Sequence, residues 1–242
     1  MGTLPATPEH GHSQREVEAR IGAPDGRGHL RDVIYGAIDG AVTTFAIVAG
    51  VAGAGLSPLV IVALGLANVL ADGFSMAASN YSGTKAERDD ARRLEDVERR
   101  HLEGAPEGER REIREILRRK GLSGDILEGA TAQIAADREA AVRLMLIDEY
   151  GLSPVEPNPM RAATATFLAF LVAGMVPLLP FLLGLADAFT ISAVMTGIVF
   201  FGIGAAKSIW SLSAWWKSGA ETLLIGGAAA SVAYFVGSLF AA

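Results

Sequence analysis

Hydrophobic positions in this chain are gathered into blocks. Residues 33–56, 59–82, 162–185, 190–211 and 219–240 are apolar almost throughout, and a helix needs roughly 20 such residues to cross a hydrocarbon core about 30 Å thick. The pattern predicts five membrane helices. Between the second and third blocks the register changes: residues 83–161 carry most of the charge. The predicted fold class is therefore all-α, a polytopic membrane protein of five transmembrane helices with an inserted cytoplasmic helical domain. Its expected divisions are a polar tail over residues 1–31, two membrane helices over 32–83, an acidic metal-binding insert over 84–160, and three further membrane helices over 161–242.

Inside the insert, residues 84–151 read as a continuation of the second membrane helix followed by three short helices. Breaks are expected near Gly104-Ala-Pro106, Gly121-Leu-Ser-Gly124 and Asp137. Ile113, Ile116 and Leu117 give one apolar face, and Ile126, Leu127, Ala130 and Ile134 another, which predicts a small bundle. Pro177 and Pro180 remove backbone donors within the third membrane block, so a kink is expected there. The tail has little apolar content and is expected to be disordered. His10 and His12 within it are poor candidates for ligands, and no cleaved signal is expected before the first block.

Charge placement supplies the orientation. Four basic residues precede the first block, fifteen lie between residues 85 and 161, and Lys207 and Lys217 flank the link between the fourth and fifth blocks; these are all 21 lysines and arginines. The loops at 55–58 and 184–190 and the end of the chain have none. The positive-inside rule then puts the N-terminus and the insert in the cytoplasm and the C-terminus outside, with the cell membrane as the expected location. Trp210, Trp215 and Trp216, beside these two lysines, are expected to anchor at the headgroup level. The net charge of −6 excludes little, but no basic patch with interleaved aromatics exists to bind nucleic acid. Cysteine is absent, so a metal would be held by oxygen, imidazole or thioether.

Carboxylates inside a membrane span need a partner, a proton, a metal or water. Asp39 in the first helix and Asp72 in the second qualify. Asn68, Asp72, Met76 and Asn80 are spaced by four and share a helix face, with Ser75 and Ser79 beside it. For Asn80 and the serines, interhelical hydrogen bonding is the favoured reading. Asp39, Asp72 and Met76 combine carboxylate oxygens with a thioether, a donor set suited to a borderline divalent metal. Gly36 and Gly40 form a small-x-x-x-small pair that allows close helix approach. In the insert, Glu95 and Glu98, Glu109 and Glu112, and Met145 and Glu149 stand three or four apart, so each pair can converge on one ion. Glutamate is dense there, and a solvated face gives the same spacings.

Ile38-Asp-Gly40, Gly73-Phe-Ser-Met-Ala77 followed by Tyr81 and Lys85-Ala-Glu87, and Gly174-Met-Val-Pro-Leu-Leu-Pro-Phe181 together resemble the vacuolar iron transporter family, which has bacterial members. The likeness runs from about residue 32 to the end. It implies a homodimer with the metal path between subunits and proton-coupled export of Fe(II), sometimes Mn(II), with no permanent cofactor. It also implies that Asp39 and Met76 line the path, and that the insert's glutamates and the Met145-Leu-Ile-Asp-Glu149 pair bind metal. Glu109 and Glu112 match the second glutamate pair. Glu95 and Glu98 have the spacing of the first, with His101 or Glu103 as alternatives. One departure stands out: the family commonly has glutamate at the position of Asn68 and a small residue at that of Asp72. Two other readings fit the same residues, a dedicated manganese exporter and a non-transporting membrane scaffold or metal sensor.

Overall fold

The structure, a computed structural model, describes residues 12–21, 29–210 and 212–241. Its elements are helices: α1 (Gln14–Ile21), α2 (Leu30–Gly53), α3 (Pro58–Gly104), α4 (Pro106–Arg119), α5 (Gly124–Ala136), α6 (Arg138–Asp148), α7 (Pro159–Met175), α8 (Leu179–Leu182), α9 (Ala188–Lys207) and α10 (Trp215–Ser238). Short 3₁₀ turns follow α7 and α9. Among the described residues, five helices are long and apolar enough to cross a membrane: α2, the first half of α3, α7 with α8, α9 and α10.

Helix α2 is the axis of the membrane bundle, packed on α3, α7, α9 and α10. Glycine makes this packing possible. A β-carbon on Gly36 would fall on the Thr166 carbonyl of α7, and one on Gly40 on the Phe170 carbonyl. The small-x-x-x-small pair therefore joins α2 to α7 within one chain. Phe45, Val48 and Val51 of α2 form one core cluster with Ile61, Val69 and Leu178, while Ala41, Ala173 and Phe200 form a second.

The two prolines act as expected. Pro177 has no N–H for the Ala173 carbonyl and Pro180 none for that of Val176. Val176 and Leu179 supply the missing donors one residue early, which turns the helix into a 3₁₀ turn at Val176–Leu178. The Ser192 hydroxyl adds a 2.7 Å bond to the Pro177 carbonyl.

Helix α3 runs unbroken for 47 residues, so it is about 70 Å long and projects well beyond the bilayer. It stops at Gly104, and Pro106 opens α4. Gly121 and Gly124, both at positive φ, turn the chain into α5. The Asp137 carboxylate caps α6 by accepting from the Ala140 N–H at 3.1 Å, and Asn158 caps α7 through the Arg161 N–H at 3.0 Å. Ile113, Leu117, Leu127, Ala141 and Met145 make the insert's core. Ile126 departs from expectation: it is 74% exposed, because a face centred on Leu127 and Thr131 turns inward instead.

Within the tail, Gln14–Ile21 form α1, none of whose residues is buried. His10 lies outside the described residues, as does the side chain of Trp210. Trp215 and Trp216 are exposed at the start of α10. Trp215 packs edge-on against Phe201, and Lys217 sits 5.5 Å from the Trp216 ring centroid, an arrangement suited to the headgroup region.

Candidate functional site

Two polar constellations lie on α3, one in its membrane half and one at its far end. In the membrane half, Asn68, Asp72 and Met76 are half-buried on the face turned towards α2. The Asn68 amide donates to the Thr43 hydroxyl at 3.3 Å, and that hydroxyl donates to the Asp39 carbonyl at 2.9 Å. Asp39 is half-buried on α2 and close enough to Asp72 for their charges to interact. The two carboxylates therefore lie near one another on neighbouring helices, with Asn68 one turn deeper than Asp72 and Met76 one turn nearer the insert.

One more turn along, Asn80 behaves as a tie between helices. Its amide donates to Asp32 at 2.8 Å and to Thr166 at 2.7 Å, linking α2, α3 and α7 where the bundle meets the insert. Ser75 and Ser79 are exposed.

The second constellation forms where α4 folds back on the end of α3. Glu98 and His101 stand three apart on the last turns of α3, and Glu109 comes from the first turn of α4. One donor atom from each lies within 4.8 Å of the others. Glu98 and Glu109 are 1% and 3% exposed, very low for carboxylates. His101 Nδ1 is 3.5 Å from Glu109 and 3.9 Å from Glu98. The Tyr150 hydroxyl donates to Glu98 Oε1 at 2.8 Å, while Oε2 of Glu98 and Oε2 of Glu109 are buried without a donor. Two acceptor-only groups in contact call for a shared proton or a cation.

Glu112 and Glu149 complete the surroundings. Both are exposed and border a cleft of about 440 Å³ that also reaches Ile116 and Asp148. Burial first, then the charges of Glu112 and Glu98, push Glu109 up to about 7. Burial and the same two glutamates raise Glu149 as well. Burial together with the bond to Glu98 raises the Tyr150 phenol.

The other sequence candidates fare differently. Glu95 is held by Arg99 at 2.8 Å on a half-exposed surface, and Arg99 also pairs with Glu139 at 2.7 Å, so Glu95 stands in an ion-pair network. Glu103 is taken by Arg138 at 2.6 Å. Met145 is fully buried among Ile113 and Leu117, a core position one turn before Glu149. Sequence reasoning missed Tyr150 altogether, although a tyrosine directly after Glu149 was a visible signal.

The architecture and these polar groups define an all-α polytopic membrane protein with carboxylates set inside its membrane bundle and in a helical insert. Residues 30–238 match the profile of the VIT family, and the chain belongs to that family. It is 32% identical over 210 residues to vacuolar iron transporter 1 of Arabidopsis thaliana, covering 85% of this chain and 83% of that protein. The vacuolar iron transporter of Toxoplasma gondii is 36% identical over 228 residues, covering 87% and 74%. Vacuolar iron transporter 1 of Tulipa gesneriana is 31% identical over 237 residues, covering 96% and 95%.

Proposed function

We propose that this chain is a transporter, not an enzyme, and that it exports Fe(II), with Mn(II) as a second cargo, from the cytosol in exchange for protons. One observation carries the reading: Asp39 and Asp72 lie close enough within the membrane bundle for their charges to interact, and no lysine or arginine occurs between Arg31 and Lys85. A carboxylate pair without a basic partner in a low-dielectric setting binds a cation or a proton.

The insert gathers divalent metal at Glu98, Glu109, Glu112 and Glu149, and hands it to Met76, Asp72 and Asp39. Protons then replace the metal on those oxygens, and that competition couples the two fluxes. The clustering of lysine and arginine supports a cytosolic insert and an outer C-terminus, with the cell membrane as the membrane crossed. A homodimer is supported by Ala63, Ala67, Ala71 and Ser75, exposed at four-residue spacing on α3. Such a strip lets two copies of the helix approach closely beside Asp72.

Metal flux in proteoliposomes tests the function. Fe(II) should move faster than Mn(II), and dissipating a pH gradient should slow both. Metal binding without flux would instead indicate a sensor or scaffold.

The exchange of positions on α3 has its own test. Asp72→Ala should abolish the dependence of flux on the pH gradient. Asn68→Glu combined with Asp72→Gly should recover part of it, because the charge returns to the same helix face about 5.4 Å away. Asn68→Ala should be milder, since an amide offers an oxygen but does not titrate near neutral pH. Full pH-dependent flux in Asp72→Ala would show that Asp72 serves packing alone.

A further inference from the structure

We infer that His101 sets the metal preference of the cytosolic cluster, acting as its nitrogen donor. The inference rests on the reading that Glu98 and Glu109 hold a cation. Among the described residues, the group of Glu98, His101 and Glu109 is the set of acidic and imidazole side chains whose donor atoms converge closely enough to share an ion. Donors roughly 2.1 Å from one cation stand roughly 3 to 4 Å apart. His101 Nδ1 already lies 3.5 Å from Glu109 and 3.9 Å from Glu98. Small side-chain rotations therefore close the site.

The buried oxygens point the same way. Tyr150 occupies Oε1 of Glu98, leaving its Oε2 and Oε2 of Glu109 buried and unpartnered. Both belong to side chains more than nine-tenths buried. His101 is 55% exposed at the rim, free to swing inward over them, and its position at the end of α3 faces the start of α4.

The chemistry of that donor decides which ions are favoured. Carboxylates alone suit hard cations such as Mg(II), Ca(II) and Mn(II), whereas imidazole favours Fe(II), Co(II), Ni(II) and Zn(II). One neutral nitrogen in an otherwise anionic oxygen set therefore raises affinity for the borderline ions relative to Mn(II). The same ring lowers the total negative charge of the site compared with a third carboxylate there, which further disadvantages hard ions.

The test uses the full-length protein in detergent, titrated with Co(II) and Mn(II) in competition. His101→Glu should lower the preference for Co(II) over Mn(II) by about tenfold while total binding persists. Mn(II) bound to the unaltered protein should show imidazole nitrogen coupling by pulsed electron paramagnetic resonance, lost in His101→Gln. If preference and nitrogen coupling are unchanged in both variants, yet Glu98→Gln with Glu109→Gln abolishes tight binding, His101 is not a ligand and the inference falls alone. If the double glutamine variant binds as the unaltered protein does, the cluster is not the metal site and the reading beneath the inference falls with it.

Discussion

Asp39→Ala should reduce metal flux by about 100-fold or more while the protein still inserts and purifies folded. A carboxylate near a second carboxylate inside a membrane bundle is a poor structural element, because the pair repels unless something positive sits between them. Removing one member relieves that repulsion, so stability should hold or rise slightly. The cation loses half of its oxygen donors at that depth, and the barrier to its passage rises accordingly. Asp39→Asn separates the two roles of the side chain: the amide keeps an oxygen but neither the charge nor the exchangeable proton. Its flux should be as low as that of alanine. Liposome flux measured alongside thermal unfolding distinguishes the readings. Normal flux in Asp39→Ala would remove this aspartate from the path, and a collapse in yield would make it structural.

The second large effect concerns pH. With Glu109 pushed up to about 7 by burial and its acidic neighbours, a metal entering the cluster below that pH must first displace a proton. Apparent affinity should therefore fall roughly tenfold from pH 8 to pH 6, and somewhat more because Glu149 is raised too. Calorimetry of the full-length protein in buffers of different ionisation enthalpy would count the protons released. Glu109→Gln should flatten the pH profile and leave binding weak throughout. A steep profile that survives in Glu109→Gln would assign the proton to another group.

Stability shifts in the opposite sense. Glu109 holds its proton more tightly folded than at its ordinary value of 4.5, so the stabilisation is complete below that value and is lost as pH rises towards 7. The loss is on the order of 3 kcal/mol without metal, and a bound cation should restore it.

Much of the fold was legible because the blocks that must face lipid leave no alternative reading. The five apolar runs, the break at Gly104-Ala-Pro106 and the double-proline kink follow from rules that act within a few residues. The ends shifted by a few positions, since polar flanking residues continue a helix without cost at the headgroups: α2 begins at Leu30 and α7 at Pro159.

The site was legible only in part. Spacing singles out both Glu95 with Glu98 and Glu98 with His101, and periodicity has no means to choose between them. Arg99 pairs with Glu95, whereas the fold-back of α4 brings Glu109 beside His101 and Glu98, contacts that no spacing along the chain announces. Ile126 was misjudged for a related reason, as two overlapping apolar faces on α5 both satisfy a helical period and only the neighbouring helices select one. Gly36 and Gly40 announced a close helix contact correctly, but their partner, α7, lies more than a hundred residues along the chain.

Because α3 is one uninterrupted helix, it is also a lever. Asp72 and Glu98 sit on the same rod 26 residues apart, a separation of about 39 Å. A tilt of about 5° pivoting at Asn80 would move Asp72 by about 1 Å and sweep Glu98 through about 2 Å, comparable to the length of one metal–ligand bond. The Asn80 bonds to Asp32 and Thr166 brace the rod near its exit from the bundle, and Arg99 ties its far end to α6 through Glu139. Any rearrangement that widens the gap between Asp39 and Asp72 by tilting this helix thus reshapes the distant cluster in the same movement, without a hinge in α3 to absorb it.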